Sequence, residues 1–256
     1  MKLIDRNVLA VDQLTMSYDR DPVLSDVSVS VERGRSVGII GPNGAGKSTL
    51  IKGVLGLLPI DHGRVEFFGD RLDDVRSRVV YVPQRSEVDW DFPVTVEDVV
   101  LMGRYGRLGL FGRPTRKDRD IASDALEKMG ITPLAKRQIS ALSGGQQQRV
   151  FLARALAQEG DLIFMDEPFV GVDAATEEAI VSLLREMRDK GKTVIVVNHD
   201  LQTAQAYFDD LMLLNKRLVA YGKSEDVFTT DLLTETYGGR LAVIDSGNSS
   251  QVLVAA

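Results

Sequence analysis

Residues 41–48 read GPNGAGKS, in which two glycines, a lysine and a serine stand at the spacing G-x-x-x-x-G-K-[ST]. Glycines at this spacing let backbone N–H groups close around phosphate oxygens, and the positive end of a following helix attracts the same anion. Lys47 is placed to bridge the β- and γ-phosphates of ATP, and Ser48 to hold Mg²⁺. The predicted ATP-binding loop consists of Gly41, Pro42, Asn43, Gly44, Ala45, Gly46, Lys47, Ser48 and Thr49.

Two adjacent acids follow an apolar run in LIFMDEP, at residues 162–168. The run predicts a buried strand with Asp166 and Glu167 at its C-terminal end, where ligands bind in open α/β sheets. Two acids there are costly unless they meet a cation or a proton. Taken alone the dipeptide is more typical of a surface. After LIFM, in a chain with a phosphate-binding loop, it indicates that Asp166 holds Mg²⁺ through water.

A second glycine pair lies in LSGGQQQRV, at residues 142–150. Ser143, Gly144, Gly145 and the N–H groups that follow would form another positive helix end. One chain cannot easily wrap two such ends onto one phosphate. The stretch is therefore either a second phosphate site or a plain glycine-containing helix start.

The elements around these motifs alternate between strands and helices. The valines of DVSVSVERG alternate with polar residues, which predicts an antiparallel β element with residues 8–18. LIFM and VIVV predict buried parallel strands, residues 211–222 a hairpin and residues 225–237 a helical end. Residues 95–158 are mostly helical in period. Within them, residues 103–119 are loop-like and contain six basic residues but a single acid, Asp118. The chain from Ser246 onward looks frayed.

Composition limits the class of protein. Of the 256 residues 44% are hydrophobic, enough for a sizeable core. The 37 acidic and 31 basic residues give a net charge of −6, which argues against nucleic acid as a main partner, and the absence of cysteine excludes disulfides and thiolate chemistry. The N-terminus lacks an apolar signal core, and VLGLLPI at 54–60 falls short of the ~18 residues of a membrane span. We expect an unexported chain, for which any membrane role must come through a partner.

The motifs stand in a fixed order along the chain, namely GPNGAGKST, Gln84 after YVP, LSGGQ, LIFMDEP, Asp173 in GVD and His199 after VIVVN. Their order and spacing resemble those of the ATP-binding cassette (ABC) ATPases over nearly the whole chain. The resemblance implies a homodimer in which the signature of one subunit contacts ATP held by the loop of the other. That signature would consist of Ser143, Gly144, Gly145 and Gln146.

The resemblance also assigns roles to single residues. It implies that Tyr18 stacks on adenine, that Glu167 is the general base, and that Gln84 senses Mg²⁺ and the attacking water. It further implies that His199 contacts the γ-phosphate across the dimer and that Asp173 links the two sites. The implied Mg²⁺ ligands are Ser48, Gln84 and Asp166.

The fold implied by the resemblance is α/β, of the P-loop NTPase class, with a parallel-sheet core, an N-terminal antiparallel β subdomain and an inserted helical subdomain. We expect one ABC ATPase domain over residues 1–240, followed by a C-terminal tail at 241–256. Within the domain, a RecA-like core would take about 1–84 and 160–222, and the helical subdomain about 85–159.

The branch of the family is indicated by what surrounds the motifs. One cassette, no heptad run and a negative charge favour a transporter subunit, which would need a separate permease and lie at the cytoplasmic face of the cell membrane. Three segments are similar to the corresponding segments of ATPases serving manganese, zinc and iron-type uptake systems. They are the stretch from SEVDWDFP to PTRKDR, the stretch EPFVGVD and the stretch LTETYGG. That similarity implies an importer with an extracytoplasmic solute-binding protein. Two alternatives stay open, an importer for another substrate such as an iron chelate and a soluble ABC ATPase acting on a macromolecule.

Trp90 lies among three acids, Glu87, Asp89 and Asp91, and such a ring is either anchored in the core or offered to a partner. Thr95 with Asp98 predicts a helix cap. We hypothesise that residues 85–113 receive the cytoplasmic helix of the permease, so that movement of Gln84 couples ATP-driven closure to transport. The alternative is a solvated basic loop with a buried tryptophan.

Overall fold

A computed structural model describes residues 6–18, 21–108, 112–238, 241–245 and 250–254. These residues group into two compact units, a first within 1–75 and 188–256 and a second within 76–187. The strands are β1 Asn7–Tyr18, β2 Asp21–Glu32, β3 Ser36–Ile40, β4 His62–Phe67, β5 Val79–Val82, β6 Leu162–Asp166, β7 Thr193–Val197, β8 Asp210–Leu214, β9 Leu218–Lys223, β10 Leu241–Asp245 and β11 Ser250–Val254. The α-helices are α1 Lys47–Val54, α2 Leu72–Val75, α3 Val96–Met102, α4 Arg116–Lys128, α5 Gly144–Gln158, α6 Ala174–Asp189, α7 Leu201–Tyr207, α8 Ser224–Val227 and α9 Thr230–Tyr237. Within the described ranges, none of these helices has the length and hydrophobicity of a membrane span.

The first unit opens with an antiparallel sheet in the order β2-β1-β4. Along β2, Val27, Val29 and Val31 are buried while the residues between them are exposed. This alternation follows the two-residue period of the pleat, so that one face of the strand packs on the core. The antiparallel β element predicted at the N-terminus is confirmed.

The parallel strands of the first unit are β7, β3 and β8, with β9 antiparallel at the side of β8. Every residue of β3, β7 and β8 is buried, as expected of strands covered on both faces. Ile39 pairs with Val197 of β7 and with Met212 of β8, so these strands end at the same edge. The loop after β3 and the residues after β7 are therefore neighbours.

The C-terminal part of the first unit confirms two predictions and corrects a third. The hairpin is β8 and β9, and the helical end is α8 and α9. The chain from Ser246 was expected to fray, whereas Ser250–Val254 pairs antiparallel with Leu241–Asp245. The apolar and β-branched residues of both stretches favour such a pairing. Residues 246–249 and 255–256 lie outside the described ranges.

In the second unit, β5 runs parallel to β6, and α3 and α4 each pack against α5. The predicted cap of α3 is confirmed, because Thr95 and Asp98 each accept a bond from the other's backbone N–H. β6 is buried over its whole length and ends at Asp166, as LIFMD predicted.

The loop predicted at 103–119 is partly wrong, because α4 begins at Arg116. Thr115 and Asp118 form a capping box that starts this helix. Arg104 is only 5% exposed and donates to Asp118 at 3.0 Å and to Glu159 at 2.7 Å. The arginine is buried because its donors are paired, a long-range contact that composition does not reveal. Residues 109–111 lie outside the described ranges.

Candidate nucleotide site

The phosphate-binding loop joins the buried end of β3 to the first residue of α1, Lys47. Two of its glycines cannot be replaced without displacing neighbours. A Cβ on Gly41 would lie 2.0 Å from the carbonyl oxygen of Leu214, and one on Gly46 would lie 2.5 Å from Leu24. Gly46 also has a φ of +91°, in the left-handed region that favours glycine. The loop is thus shaped by its backbone, as a phosphate cradle requires.

Lys47 is 6% exposed and its side chain lies inside this loop. Its Nζ donates to the carbonyl oxygens of Gly41 at 2.7 Å and of Pro42 at 2.9 Å. Phosphate oxygens are stronger acceptors of a charged donor than carbonyl oxygens are. The Lys47 ammonium would therefore exchange the loop carbonyls for phosphate oxygens when a phosphate chain binds.

The β8–β9 turn is hydrogen-bonded to the backbone of the phosphate-binding loop. The backbone N–H of Lys216 donates to the carbonyl of Ala45 at 2.9 Å, and the N–H of Ser25 donates to the carbonyl of Lys216 at 2.8 Å. The same turn is held to α9, because Asn215 Nδ2 donates to the carbonyl of Thr236 at 2.9 Å. Thr236, which belongs to the late segment LTETYGG singled out in the sequence, thus supports the loop through this turn.

His199 and Tyr18 also belong to the first unit. His199 is exposed and follows β7, where the N–H of the preceding Asn198 donates to the carbonyl of Ile39 at 3.0 Å. This bond places the histidine beside the start of the phosphate-binding loop. Tyr18 is 49% exposed at the end of β1. The neighbouring strand β2 carries Leu24, the residue that lies against Gly46.

The acid pair and Gln84 meet in the second unit. Asp166 ends β6 and is 1% exposed, and Glu167 follows it with a φ of +51°. A left-handed glutamate is uncommon, and such backbone strain tends to occur at functional sites. The side-chain amide of Gln84 donates to the Glu167 carboxylate. Burial, and after it the nearby Asp166 carboxylate, raises the pKa of the Tyr81 phenol.

The LSGGQ stretch begins α5, hereafter the signature helix (Gly144–Gln158). Ser143 is its N-cap, and its hydroxyl and the Gln146 side chain form a capping box across the first turn. A Cβ on Gly145 would lie 3.0 Å from Thr176 Oγ1 and 3.4 Å from Asp173 Oδ2. The second glycine is therefore needed for close approach to the start of α6.

Asp173 itself is fixed by that helix start. Its carboxylate accepts the N–H of Thr176 at 2.7 Å, in the manner of a helix cap. The N–H and then the hydroxyl of Thr176 hold the pKa of Asp173 below its ordinary value. Thr176 Oγ1 in turn accepts a bond from Arg149 Nε of the signature helix at 3.1 Å. Asp173 and the signature helix are thus joined within one chain through Thr176.

Comparison with known proteins identifies this combination. A family model described as ABC transporter matches residues 24–170, which is more than half of the chain. The chain belongs to the ABC transporter family. The manganese transport system ATP-binding protein MntB of Bacillus subtilis (strain 168) is 59% identical to this ABC ATPase over 91% of this chain and 94% of that protein. The zinc transport system ATP-binding protein TroB of Treponema pallidum (strain Nichols) is 55% identical over 94% of this chain and 92% of that protein.

Solved structures support the same assignment. A transporter assigned to the metal-chelate type, in an inward-facing conformation, matches with a TM-score of 0.82 and 28% identity over 97% of each chain. The ADP conformation of an ATP-binding cassette matches with a TM-score of 0.75 and 28% identity, over 91% of this chain and 99% of that one. The protein is an ATPase of the P-loop NTPase fold class, as predicted, and its family binds adenine nucleotides.

Within this ABC ATPase the predicted site residues fall into two sets. The first unit carries Tyr18, the phosphate-binding loop and His199, and the second carries Gln84, Asp166, Glu167, the signature and Asp173. Sequence reasoning missed Arg85, which contacts the signature helix, and Thr176, which fixes Asp173. The spacing of Asp173 and Thr176 is that of a capping residue and its third helical residue, a signal that was available. Nothing local to Arg85 predicts its contact.

Proposed function

We propose that this ABC ATPase is the motor subunit of an importer for divalent metal ions such as manganese, zinc or iron. It works as a homodimer on an integral-membrane permease, at the cytoplasmic face of the cell membrane, with an extracytoplasmic solute-binding protein delivering the ion. The observation that carries the proposal is the 59% and 55% identity, over nearly full length, to ATP-binding proteins of manganese and zinc transport systems.

A second candidate substrate is a metal chelate. It is favoured by the TM-score of 0.82 to a transporter assigned to that type. We prefer the free ion, because the chelate-type structure is 28% identical whereas the manganese-system protein is 59% identical. A soluble ABC ATPase acting on a macromolecule is disfavoured by the same relatives, which are subunits of transport systems.

The chemistry proposed for the site is Mg²⁺-dependent hydrolysis of ATP. Ser48, Gln84 and Asp166 offer a hydroxyl, an amide and a carboxylate oxygen, which are hard donors that suit Mg²⁺ shared with phosphates. When bound, Mg²⁺ would neutralise charge on the β- and γ-phosphates. Glu167 is the base that takes the proton of the attacking water. Its contact with Gln84 places this base beside the residue proposed to sense Mg²⁺ and water.

The remaining roles depend on the dimer. The capped first turn of the signature helix would face the γ-phosphate of ATP bound to the other subunit, and His199 would contact that phosphate across the dimer. Asp173, joined to the signature helix through Thr176, would link the two ATP sites. Tyr18 is half-exposed, and its ring would stack on adenine.

Glu167→Gln tests the dimer and the base together. General-base transfer is worth about 10²–10⁴-fold in rate, so this variant should bind ATP, stall, and elute as a dimer in size-exclusion chromatography with Mg²⁺ and ATP. Glu178→Gln, at an exposed position of α6, is the matched control and should turn over like the wild type. A Glu167→Gln protein that stays monomeric at saturating ATP would contradict the dimer for the isolated subunit.

The proposed permease contact is residues 85–113. Phe92 and Tyr105 are 54% and 51% exposed, which suits a surface that an apolar helix covers. Trp90 is half-buried, with its ring edge-on to Phe151 at 5.0 Å, and thus anchors this segment. Alanine at Phe92 or Tyr105 should reduce co-purification with the permease and leave ATPase activity of the isolated subunit unchanged. Intact co-purification would favour a solvated loop instead.

Elemental analysis of cells tests the transport function. In a strain that lacks this chain, cell-associated manganese, zinc and iron are measured under metal scarcity, after complementation with wild type, Glu167→Gln or Glu178→Gln. We expect one metal to fall in the deletion strain and only wild type and Glu178→Gln to restore it. If no metal changes, the metal-import proposal is wrong and the ATPase serves another permease.

A further inference from the structure

Arg85, the residue directly after Gln84, is bonded to the signature helix. Its Nε and Nη2 donate to Gln147 Oε1 at 3.0 Å and 2.8 Å. Gln147 is 5% exposed, and its amide nitrogen donates to the carbonyl of Ile139 at 3.3 Å. A buried amide with partners on both its atoms holds the arginine fork in one orientation.

The guanidinium also lies against the first turn of the signature helix. A Cβ on Gly144 would be 3.1 Å from Arg85 Cζ, so the guanidinium lies in close contact with the first signature glycine. The two signature glycines therefore face different partners, Gly144 facing Arg85 and Gly145 facing Thr176 and Asp173.

The backbone of residue 85 is held to the same helix through Trp90. Trp90 Nε1 donates to the Arg85 carbonyl at 2.9 Å, and its ring contacts Phe151 of the signature helix. The Arg85 guanidinium also lies over the Trp90 ring, 6.0 Å from its centroid. Side chain and backbone of Arg85 are thus both connected to the signature helix.

Gln84, one peptide bond before Arg85, donates its amide to Glu167. A continuous route therefore runs from the Glu167 carboxylate through Gln84 and Arg85 to the first turn of the signature helix. Residues 84 and 85 share one peptide bond, which holds their Cα atoms about 3.8 Å apart, so a displacement of the Arg85 backbone is passed to the backbone of Gln84.

We propose that Arg85 is a positioning residue for ATP hydrolysis, which couples the orientation of the signature helix to the contact between Gln84 and Glu167. This role rests on the proposed functions of Glu167 and of the signature. When the helix aligns on the ATP of the other subunit, Arg85 draws the Gln84 amide away from the Glu167 carboxylate.

The first measurement compares Arg85→Met with wild type in the purified full chain, using steady-state ATP hydrolysis and thermal unfolding. Methionine keeps the apolar stem and removes the fork. We expect kcat to fall roughly 10- to 100-fold, as for a misplaced catalytic group, with KM for ATP changed less than about threefold because ground-state binding is untouched. Arg119→Met, on the exposed side of α4, is the matched control and should keep both constants.

The deciding measurement is a double-mutant cycle with Gln84→Ala. If Arg85 acts through Gln84, adding Arg85→Met to Gln84→Ala should lower kcat by less than about threefold, because coupled residues are not additive. A purely structural role predicts that the two losses multiply, and that result would overturn the proposal. An unchanged kcat in Arg85→Met would overturn it as well.

Two further variants cover the case in which Arg85→Met fails to fold. Arg85→Lys keeps the charge but can make one bond in place of the fork, and Gln147→Met removes the acceptor. Both should lower kcat with little change in KM, and a normal kcat in both would refute the role. Failure of the proposed function appears elsewhere, since an active Glu167→Gln removes the base assignment whatever the Arg85 variants show.

Discussion

Replacement of Lys47 by alanine should remove most of the affinity for ATP. The side chain is buried in the phosphate-binding loop and its ammonium is bonded to two carbonyl oxygens, which it would exchange for phosphate oxygens on binding. The effect of the substitution is the difference between these two sets of interactions, so both must be estimated.

The attraction to phosphate comes to about 4 kcal/mol for each unit charge at 4 Å and an effective dielectric near 20. An ammonium that bridges the β- and γ-phosphates thus gains about 8 kcal/mol from two charges. Leaving the two carbonyls costs about 3 to 6 kcal/mol, at roughly 1.5 to 3 for each bond to a charged group. A net of about 2 to 5 kcal/mol remains, or a loss of about 30-fold or more in Kd.

The assay is equilibrium titration of the purified chain with a fluorescent ATP analogue, with circular dichroism to verify folding. Lys52→Ala is the control, because it removes the same charge from the same helix one turn beyond the loop. Binding by Lys47→Ala within about fivefold of wild type would refute the estimate. An equal loss in Lys52→Ala would show that the effect is one of general charge.

Two other substitutions test the second unit. Gly145→Ala places a Cβ 3.0 Å from Thr176 Oγ1. We expect its kcat for ATP hydrolysis to fall about tenfold or more, with a small loss of thermal stability. In the control Gly106→Ala, the new Cβ meets nothing within 4 Å, so kcat and thermal stability should stay at the wild-type values. Bonds from Thr115 and then from Arg104 lower the pKa of Asp118 from 3.8 to about 2, so its carboxylate stabilises the fold above about pH 4 and loses this effect as pH falls toward 2. Wild type should therefore unfold at a higher temperature than Asp118→Asn at pH 7, and this difference in unfolding temperature should decrease below pH ~4. A difference that stays constant to pH ~2, or a similar narrowing for the exposed Asp124→Asn, would contradict this.

The features predicted from the sequence depend on a few neighbouring residues. The phosphate-binding loop needs a strand, glycines and a helix start, all within residues 36–54, and β6 delivers its acids directly after LIFM. The cap of α3 involves residues three apart. Such features depend on backbone geometry over one or two turns, so they form in the same way in any fold that contains the segment.

Other features were decided by tertiary packing. Arg104 lies in a stretch that looks like a basic loop, and it is buried with its guanidinium paired to Asp118 and to Glu159, which lies 55 residues later. His199 lies beside the phosphate-binding loop because β7 pairs with β3, although about 150 residues separate them in the chain.

The sequence by itself therefore determined which residues hold phosphate and which acids follow a buried strand, and the ordered motifs indicated the family. Only the tertiary structure decided which of these groups touch. The contact of Gln84 with Glu167 spans 83 residues, and that of Arg85 with Gln147 spans 62. Contacts over such distances are formed by the packing of whole elements, and the side chains at either end carry no local mark of their partner.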